Sequence, residues 1–291
     1  MNQGSHFLQL GLAILIMSSS GTLGRYIDLP VPVIIWIRCV IGSVALYLVI
    51  RFGGFGIRIS RGKSFWMLFI SSIFLGIHWI TYFYALKLSS VAVGMLSLFT
   101  YPVITALLEP IMLKVKFQKS TVFIGMIAFF GVMLLAPELN FENDYTLGIA
   151  MGIFSALTYS IRNILLKKQI SDQSGVTLMF YQLLIITLIL WPVLFLFNFD
   201  VDQSIVENWQ PLLILGLFTT AAGHTLFVLS FRHFTISTVS IISALTPLLG
   251  TIIGFFVLSE VPAGRTYIGG CLILLTVIAE SIRTVNAAKR I

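Results

Sequence analysis

Two histidines, His78 and His224, lie inside apolar stretches with polar or aromatic neighbours close by. His78 and Tyr82 are four positions apart, so a helix puts both on one face, with Trp79 beside them. His224 is followed by Thr225, and Thr219 and Thr220 come one turn earlier. Imidazole titrates near neutral pH and can donate or accept a hydrogen bond, so each group could hold a polar ligand or carry a proton. A neutral histidine bonded to a backbone carbonyl is the plainer alternative. Tyr159 and Asn163, again four apart, form another polar patch, as do Ser18, Ser19, Ser20 and Thr22. Ser97 and Tyr101 precede Pro102, and Ser243 and Thr246 precede Pro247. A proline inside a helix frees a carbonyl one turn back. Hydroxyls beside it are placed to meet a ligand, unless neighbouring helices simply repair the kink.

Charged residues in the same apolar setting are few. Glu109 and Arg162 lie at similar depth, and the expectation is that they pair, as an inner gate or a static tie, because each alone bears a desolvation cost. Arg38 is expected to reach outward to the membrane surface or to attract an anionic group. No catalytic residues are assigned: HExxH, GxSxG and an intramembrane aspartate pair are all absent from the sequence. No GxxxxGK[ST] loop is present, so ATP is not the direct energy source. No metal and no cofactor are expected. Cys39 and Cys271 fall inside apolar runs and form no CxxC motif. A coupling proton, if one is used, must ride on a histidine or on Glu109.

The elements that must position these groups follow from composition. The 291 residues are 58% hydrophobic and only 10% charged, with mean hydropathy +1.00. A water-soluble core cannot hide that much apolar surface, so lipid must solvate most of the chain. Apolar runs at about 8–26, 33–51, 65–86, 91–113, 120–137, 146–167, 176–197, 211–231, 236–258 and 266–284 predict an all-α membrane protein with ten transmembrane helices. With a cytoplasmic N-terminus, fourteen of the 18 Lys and Arg residues sort to the cytoplasmic side, which predicts that both termini are cytoplasmic, in a plasma (inner) membrane. The net charge of +7 therefore reads as an orientation signal, and nucleic acid is not an expected partner.

A shift of 145 positions lays Pro102 on Pro247, Lys87 on Arg232 and Gly125 on Gly270. The expected halves are 1–144 and 145–291. Five spans per half is an odd number, so the second copy enters the membrane from the opposite side. Two inverted five-helix repeats around a central cavity are a layout used by secondary transporters. Gly148-x-x-x-Gly152 and Gly250-x-x-x-Gly254 would let helices approach closely. The expected partners are a small-molecule substrate and the lipid bilayer, with the oligomeric state open. A lipid or isoprenoid-carrier mover, a membrane enzyme and a channel are the competing functions.

The stretches YALKLSSVAVGMLSLFTYPVITALLEPIMLKVKFQKSTVFIGMIAFFGVMLL and LSFRHFTISTVSIISALTPLLGTIIGFFVLSEVPAGRTYIGGCLILLTVIAES each resemble the end of an EamA-type repeat of the drug/metabolite transporter superfamily. WIRCVIGS, with Arg38, is similar to that family's arginine-bearing second span. The resemblance covers about 8–284. It implies ten helices in two inverted halves, and substrates such as amino acids, other metabolites or drugs, moved by a permease that in many relatives exports. One departure stands out: Glu260 follows the second proline span, where the first repeat has Val115.

Overall fold

The computed structural model describes residues 3–59, 62–114, 119–135, 142–167, 169–170, 173–197, 201–234, 239 and 242–288. Val115, Lys116, Glu138, Lys168 and Asp200, which the sequence assigns to loops, lie outside the described residues. The described chain is helical, with no strand. Its elements are α1 (Gln3–Tyr26), α2 (Val31–Gly53), α3 (Lys63–Leu88), α4 (Val91–Leu98), α5 (Tyr101–Leu113), α6 (Lys119–Met133), α7 (Asp144–Lys167), α8 (Gly175–Leu190), α9 (Val193–Leu196) and α10 (Val201–Leu213). A π-helical segment, Ile214–His224, then leads into α11 (Thr225–Ser230), followed by α12 (Leu245–Leu258) and α13 (Gly264–Ala288).

Seven stretches are long and apolar enough to cross a membrane: Gly4–Tyr26, Val31–Gly53, Lys63–Leu88, Val91–Met112, Asp144–Lys167, Gly175–Leu196 and Ile205–Ser230. Phe123–Met133, Leu245–Leu258 and Gly264–Ala279 are apolar but shorter. Phe52, Phe129, Phe130, Phe195 and Phe256 stand exposed on the outside. In water such a surface would aggregate; in hydrocarbon it is the solvated face.

Polar residues take the opposite side of the same helices. Arg38, Ser71, Ser72, Ser97, Ser155, Arg162, Gln182, Thr219 and Thr220 are buried. A backbone or side-chain polar group facing lipid would go unpaired, so these faces turn inward. Serine and threonine in α1 and α3 bond largely to their own helix, as in Ser18 Oγ to Ile14 O at 2.7 Å and Ser72 Oγ to Leu68 O at 2.7 Å. That leaves the aromatic and imidazole groups free to meet between helices.

The prolines do not kink continuous spans, as the sequence suggests. Pro102 falls in the first turn of α5, after the break at Phe99–Thr100 that ends α4. Pro247 falls in the first turn of α12, after the break at Ala244. First-turn N–H groups have no intrahelical acceptor, so proline there removes no bond and its fixed φ suits a helix start. Each break sits at the 145-shifted position of the other. So do Lys114 and Ser259, the two non-glycine residues with positive φ (56° each) among the described residues. A non-glycine left-handed residue is uncommon, and here both end the helix that the proline opens.

α3 packs along α7, α2 along α8, α1 along α12 and α6 along α13. The α6–α13 crossing is backbone to backbone: a Cβ built on Gly269 would lie 2.6 Å from the Gly131 carbonyl oxygen. Both sequence-marked glycine pairs also face neighbours, Gly148 and Gly152 against Ala85 and Ser97, Gly250 and Gly254 against Met95 and Val91.

Candidate functional site

The two helix breaks face one small cavity of about 50 Å³, lined mostly by buried residues. Its wall is built from α3 (His78, Trp79, Tyr82), the first break (Leu98, Phe99, Tyr101), α7 (Tyr159), the π segment (His224), α11 (Phe227), the second break (Ser243, Thr246) and α1 (Ile14, Met17, Ser20). Water fits in such a volume, whereas pockets for small organic ligands run to about 300–1,000 Å³. The cavity must therefore widen to admit an organic solute.

His78 is buried and tied to α7 twice. Its Nδ1 lies 2.7 Å from Ser155 Oγ, and Ser155 Oγ donates to the His78 carbonyl at 2.9 Å. The ring stacks on Tyr159 at 4.3 Å between centroids, and Tyr101 meets Tyr159 edge-on at 5.1 Å. On the other side the Trp79 ring is edge-on to His224 at 5.1 Å. The π segment sets His224. Its wider turn lets Thr220 Oγ1 reach the carbonyl of Leu215, five residues back, at 2.7 Å, and π turns recur at functional sites. His224 Nδ1 and Ser243 Oγ are buried without a hydrogen-bond partner in the protein, so the cavity offers polar atoms to whatever enters it.

Of the residues singled out from the sequence, His78, Trp79, Tyr82, Tyr101, Tyr159, His224, Ser243 and Thr246 line the cavity. Ser97 and Asn163 do not. Ser97 packs against Gly152, and Asn163 accepts from Arg162 Nη1 at 3.0 Å. Pro102 and Pro247 lie behind the breaks, outside the lining. The expected Glu109–Arg162 pair is replaced by other contacts. Arg162 is wholly buried and turns towards α8, with Nη2 donating to Gln182 Oε1 at 2.6 Å, and Gln182 Nε2 donates on to Ser71 Oγ at 2.9 Å. Glu109, on α5, acts electrostatically on Lys167 instead. Arg162 thus belongs to the interior and gives no topology signal. Arg38 does not reach the surface either. It is wholly buried, donates from Nε to Thr220 Oγ1 at 2.8 Å, and lies 4.3 Å from the Trp79 ring centroid. Depth along a helix is legible in sequence; which way the residue faces depends on packing.

Basic residues clasp both ends of the molecule by donating to backbone carbonyls. At one end Lys87 Nζ donates to the carbonyls of Ile27 and Leu29, and Arg25 donates to those of Leu86 and Lys87 while pairing with Glu260. At the other, Lys167 Nζ reaches the carbonyls of Phe231 and Phe234, and Arg232 those of Ile170 and Gln173. One clasp holds the end of α1 to the end of α3, the other the end of α7 to the end of α11.

Beside the second clasp, His6 and His233 stack at 3.6 Å. Partial desolvation in the stack, then the neighbouring His6 and Arg232, hold the exposed His233 imidazole below its ordinary range. The cost of charging it begins as pH falls below the ordinary value of about 6.5 and is complete below the lowered one. Stability of the purified protein is therefore expected to fall as pH drops from about 6.5 through the lowered value. In His233→Phe, which keeps the stack without titrating, the melting temperature should depend less on pH over that window. An equal slope in both proteins would contradict this.

Among the described residues no cluster of three or more metal-binding side chains exists, and the chemistry on view is recognition by stacking and hydrogen bonding. The profile of the EamA-like transporter family matches residues 7–136 and again 146–280. The chain is 27% identical over 200 residues to an uncharacterised transporter of Synechocystis sp., covering 65% of this chain and 57% of that one. It therefore spans less than two thirds of that relative's length. It is 22% identical over 253 residues to the pseudopaline exporter CntI of Pseudomonas aeruginosa, with 87% of each chain covered. A solved crystal structure at 18% identity superposes with a TM-score of 0.70 over 99% of both chains, which shows a shared fold. Helices of membrane length and composition and a family profile matched along nearly the whole length agree: this chain is a multi-pass membrane protein that belongs to the EamA-like transporter family.

Proposed function

We propose that the protein is a secondary, non-ATP carrier that exports a small organic solute of the amino-acid class by alternating access. The carrying observation is the pair of broken helices at 145-shifted positions, both facing one largely aromatic cavity that holds a few polar atoms. Discontinuous helices that frame a midplane site are how many secondary transporters bind and release their cargo. In this reading the ten apolar segments form two inverted five-helix repeats, 1–144 and 145–291, with both termini cytoplasmic in the plasma (inner) membrane. The matched left-handed caps at Lys114 and Ser259 support that symmetry. So do the reciprocal clasps at the two ends, since two halves with alike closures can exchange which end is shut. The exporter among the relatives supports the direction. A lipid mover needs a lateral groove with a headgroup site. The groove between α12 and α13, lined by Pro247, Phe255, Phe256 and Tyr267, carries no charged residue.

The test is flux into sealed liposomes of the purified protein, against a panel of amino acids, nucleobases and amphipathic drugs, with and without a pH gradient. Saturable flux of at least one amino-acid-class solute is expected, falling tenfold or more in His78→Ala and in His224→Ala. Flux confined to a lipid probe, or unchanged in both variants, would reject the solute-carrier reading.

A further inference from the structure

Arg38 is wholly buried, and among the described residues no carboxylate pairs with it. Nε donates to Thr220 Oγ1 at 2.8 Å, and the guanidinium lies over the rings of Trp79 (4.3 Å) and Phe83 (5.3 Å). Nη1 and Nη2 are buried and have no hydrogen-bond partner in the protein. The protein groups acting on the guanidinium are Cys39 and Tyr82, and neither is a carboxylate. Arg162 supplies a second buried cation, satisfied at both Nη atoms by the neutral amides of Asn163 and Gln182. The charges of both arginines act on His78 and His224, which line the cavity. The interior is therefore electropositive.

Taking a guanidinium out of water is costly unless an anion or a full set of acceptors receives it. Cation–π contact with Trp79 and one threonine oxygen recover only part of that cost. Arg38 keeps two parallel donors unmade, the fork that matches the two oxygens of a carboxylate. Trp79, whose ring lies over the guanidinium, also lines the cavity, together with Tyr82 and His224.

We propose that Arg38 is the anion-binding point of the transport site, and that the solute presents a carboxylate or a comparable planar oxyanion to it while its organic remainder stacks among Tyr101, Tyr159 and Phe227. The assignment rests on the transport reading and narrows it to anionic or zwitterionic solutes. As the cavity widens, the Trp79 ring moves off the guanidinium and the solute's oxygens take the two Nη donors. A purely structural Arg38, tying α2 to the π segment, would leave ligand discrimination untouched.

The experiment uses matched probes, N-acetyl-phenylalanine and its amide, and hippurate and hippuramide, binding to the purified full-length protein. Affinity is read from thermal shift and from tryptophan fluorescence, with monodispersity as the folding control. In the wild type each carboxylate should bind at least tenfold more tightly than its amide. Arg38→Gln should bring the ratio to within twofold while amide affinity is kept, and Arg38→Lys should retain part of it, since the charge stays and the fork is lost. Thr220→Val, which keeps the charge but removes the Nε anchor, should lower carboxylate affinity and spare the amide, so the proposal does not depend on one variant folding. An absent carboxylate preference in the wild type, or a ratio unchanged in Arg38→Gln or lost only in Arg162→Gln, overturns the assignment. Carboxylates that bind through Arg38 yet never cross the liposome membrane would uphold this site and defeat the transport reading. Solutes carried equally well by Arg38→Gln would do the reverse.

Discussion

Glu260→Gln is expected to loosen one end of the protein and raise access to the cavity from that side by roughly three- to thirtyfold. Glu260 sits in the turn between α12 and α13, just past the left-handed cap at Ser259. One carboxylate oxygen pairs with Arg25 on α1, and the other accepts the Val91 N–H at 2.8 Å, at the first residue of α4. One side chain therefore ties α1 and α4 to the far half of the chain. Both partners are about a quarter exposed, 29% and 21%, so solvent screening trims the pair. With the α4 helix terminus adding to the ion pair, roughly 0.7–2 kcal/mol is a fair scale, and 1.4 kcal/mol is tenfold.

The measurement is the rate at which a membrane-impermeant maleimide modifies Ser243→Cys, in a background carrying Cys39→Ala and Cys271→Ala. Glutamine keeps the acceptor for Val91 but not the charge for Arg25, so Arg25→Gln should act alike and the double variant should add little. A labelling rate unchanged by Glu260→Gln would mean that the pair does not hold that end closed. The corresponding position of the first repeat, Val115 in sequence, has no carboxylate. The two closures are thus chemically unequal, and a charge change at Glu260 should bias one direction of opening.

Gly152→Val is expected to abolish folded protein, and Gly152→Ala to destabilise it by about 1–3 kcal/mol, the usual range for overpacking a tight contact. A Cβ built at Gly152 would lie 2.5 Å from Ser97 Cβ, and one at Gly148 would lie 3.1 Å from the Ala85 carbonyl oxygen. Neither obstacle is the flexible end of a long side chain, so α7 would have to move away from α3 and α4. In lipid no water is released when helices meet, and close packing itself supplies much of the association energy. The same shift would separate His78 from Ser155 and Tyr159. Unfolding in graded SDS reads the effect, and Ser97→Gly combined with Gly152→Ala should recover a good part of the loss. Wild-type stability in Gly152→Val would show that the α4–α7 contact is looser than drawn.

Much of the fold is legible in the sequence because one physical rule governs it. Apolar runs of membrane length must be helices, as at Lys63–Leu88 and Asp144–Lys167, close to the runs read from hydropathy. His78, Tyr82 and His224 could be placed in the interior for the same reason: a polar group within such a run has nowhere else to find a partner. Ile14, Met17, Leu98, Phe99 and Phe227 also line the cavity, yet nothing in sequence separates them from apolar residues that face lipid. Ser97 was legible as interior but not as packing on α7, nor Asn163 as the acceptor for Arg162 on its own helix. The π segment Ile214–His224 leaves no mark in composition either, because it depends on which carbonyl each N–H reaches.

Sequence alone, then, determined a helical membrane protein with internal repetition and polar groups held inside it, since hydropathy and charge sorting are local properties of the chain. Tertiary structure alone decided how each helix is rotated about its axis. That rotation turned Arg38 inward to Thr220 and Trp79, gave Arg162 to Gln182 and left Glu109 beside Lys167. A residue's depth is set by counting along the helix, whereas its partners are set by helix packing across distant parts of the chain, and no local pattern encodes that.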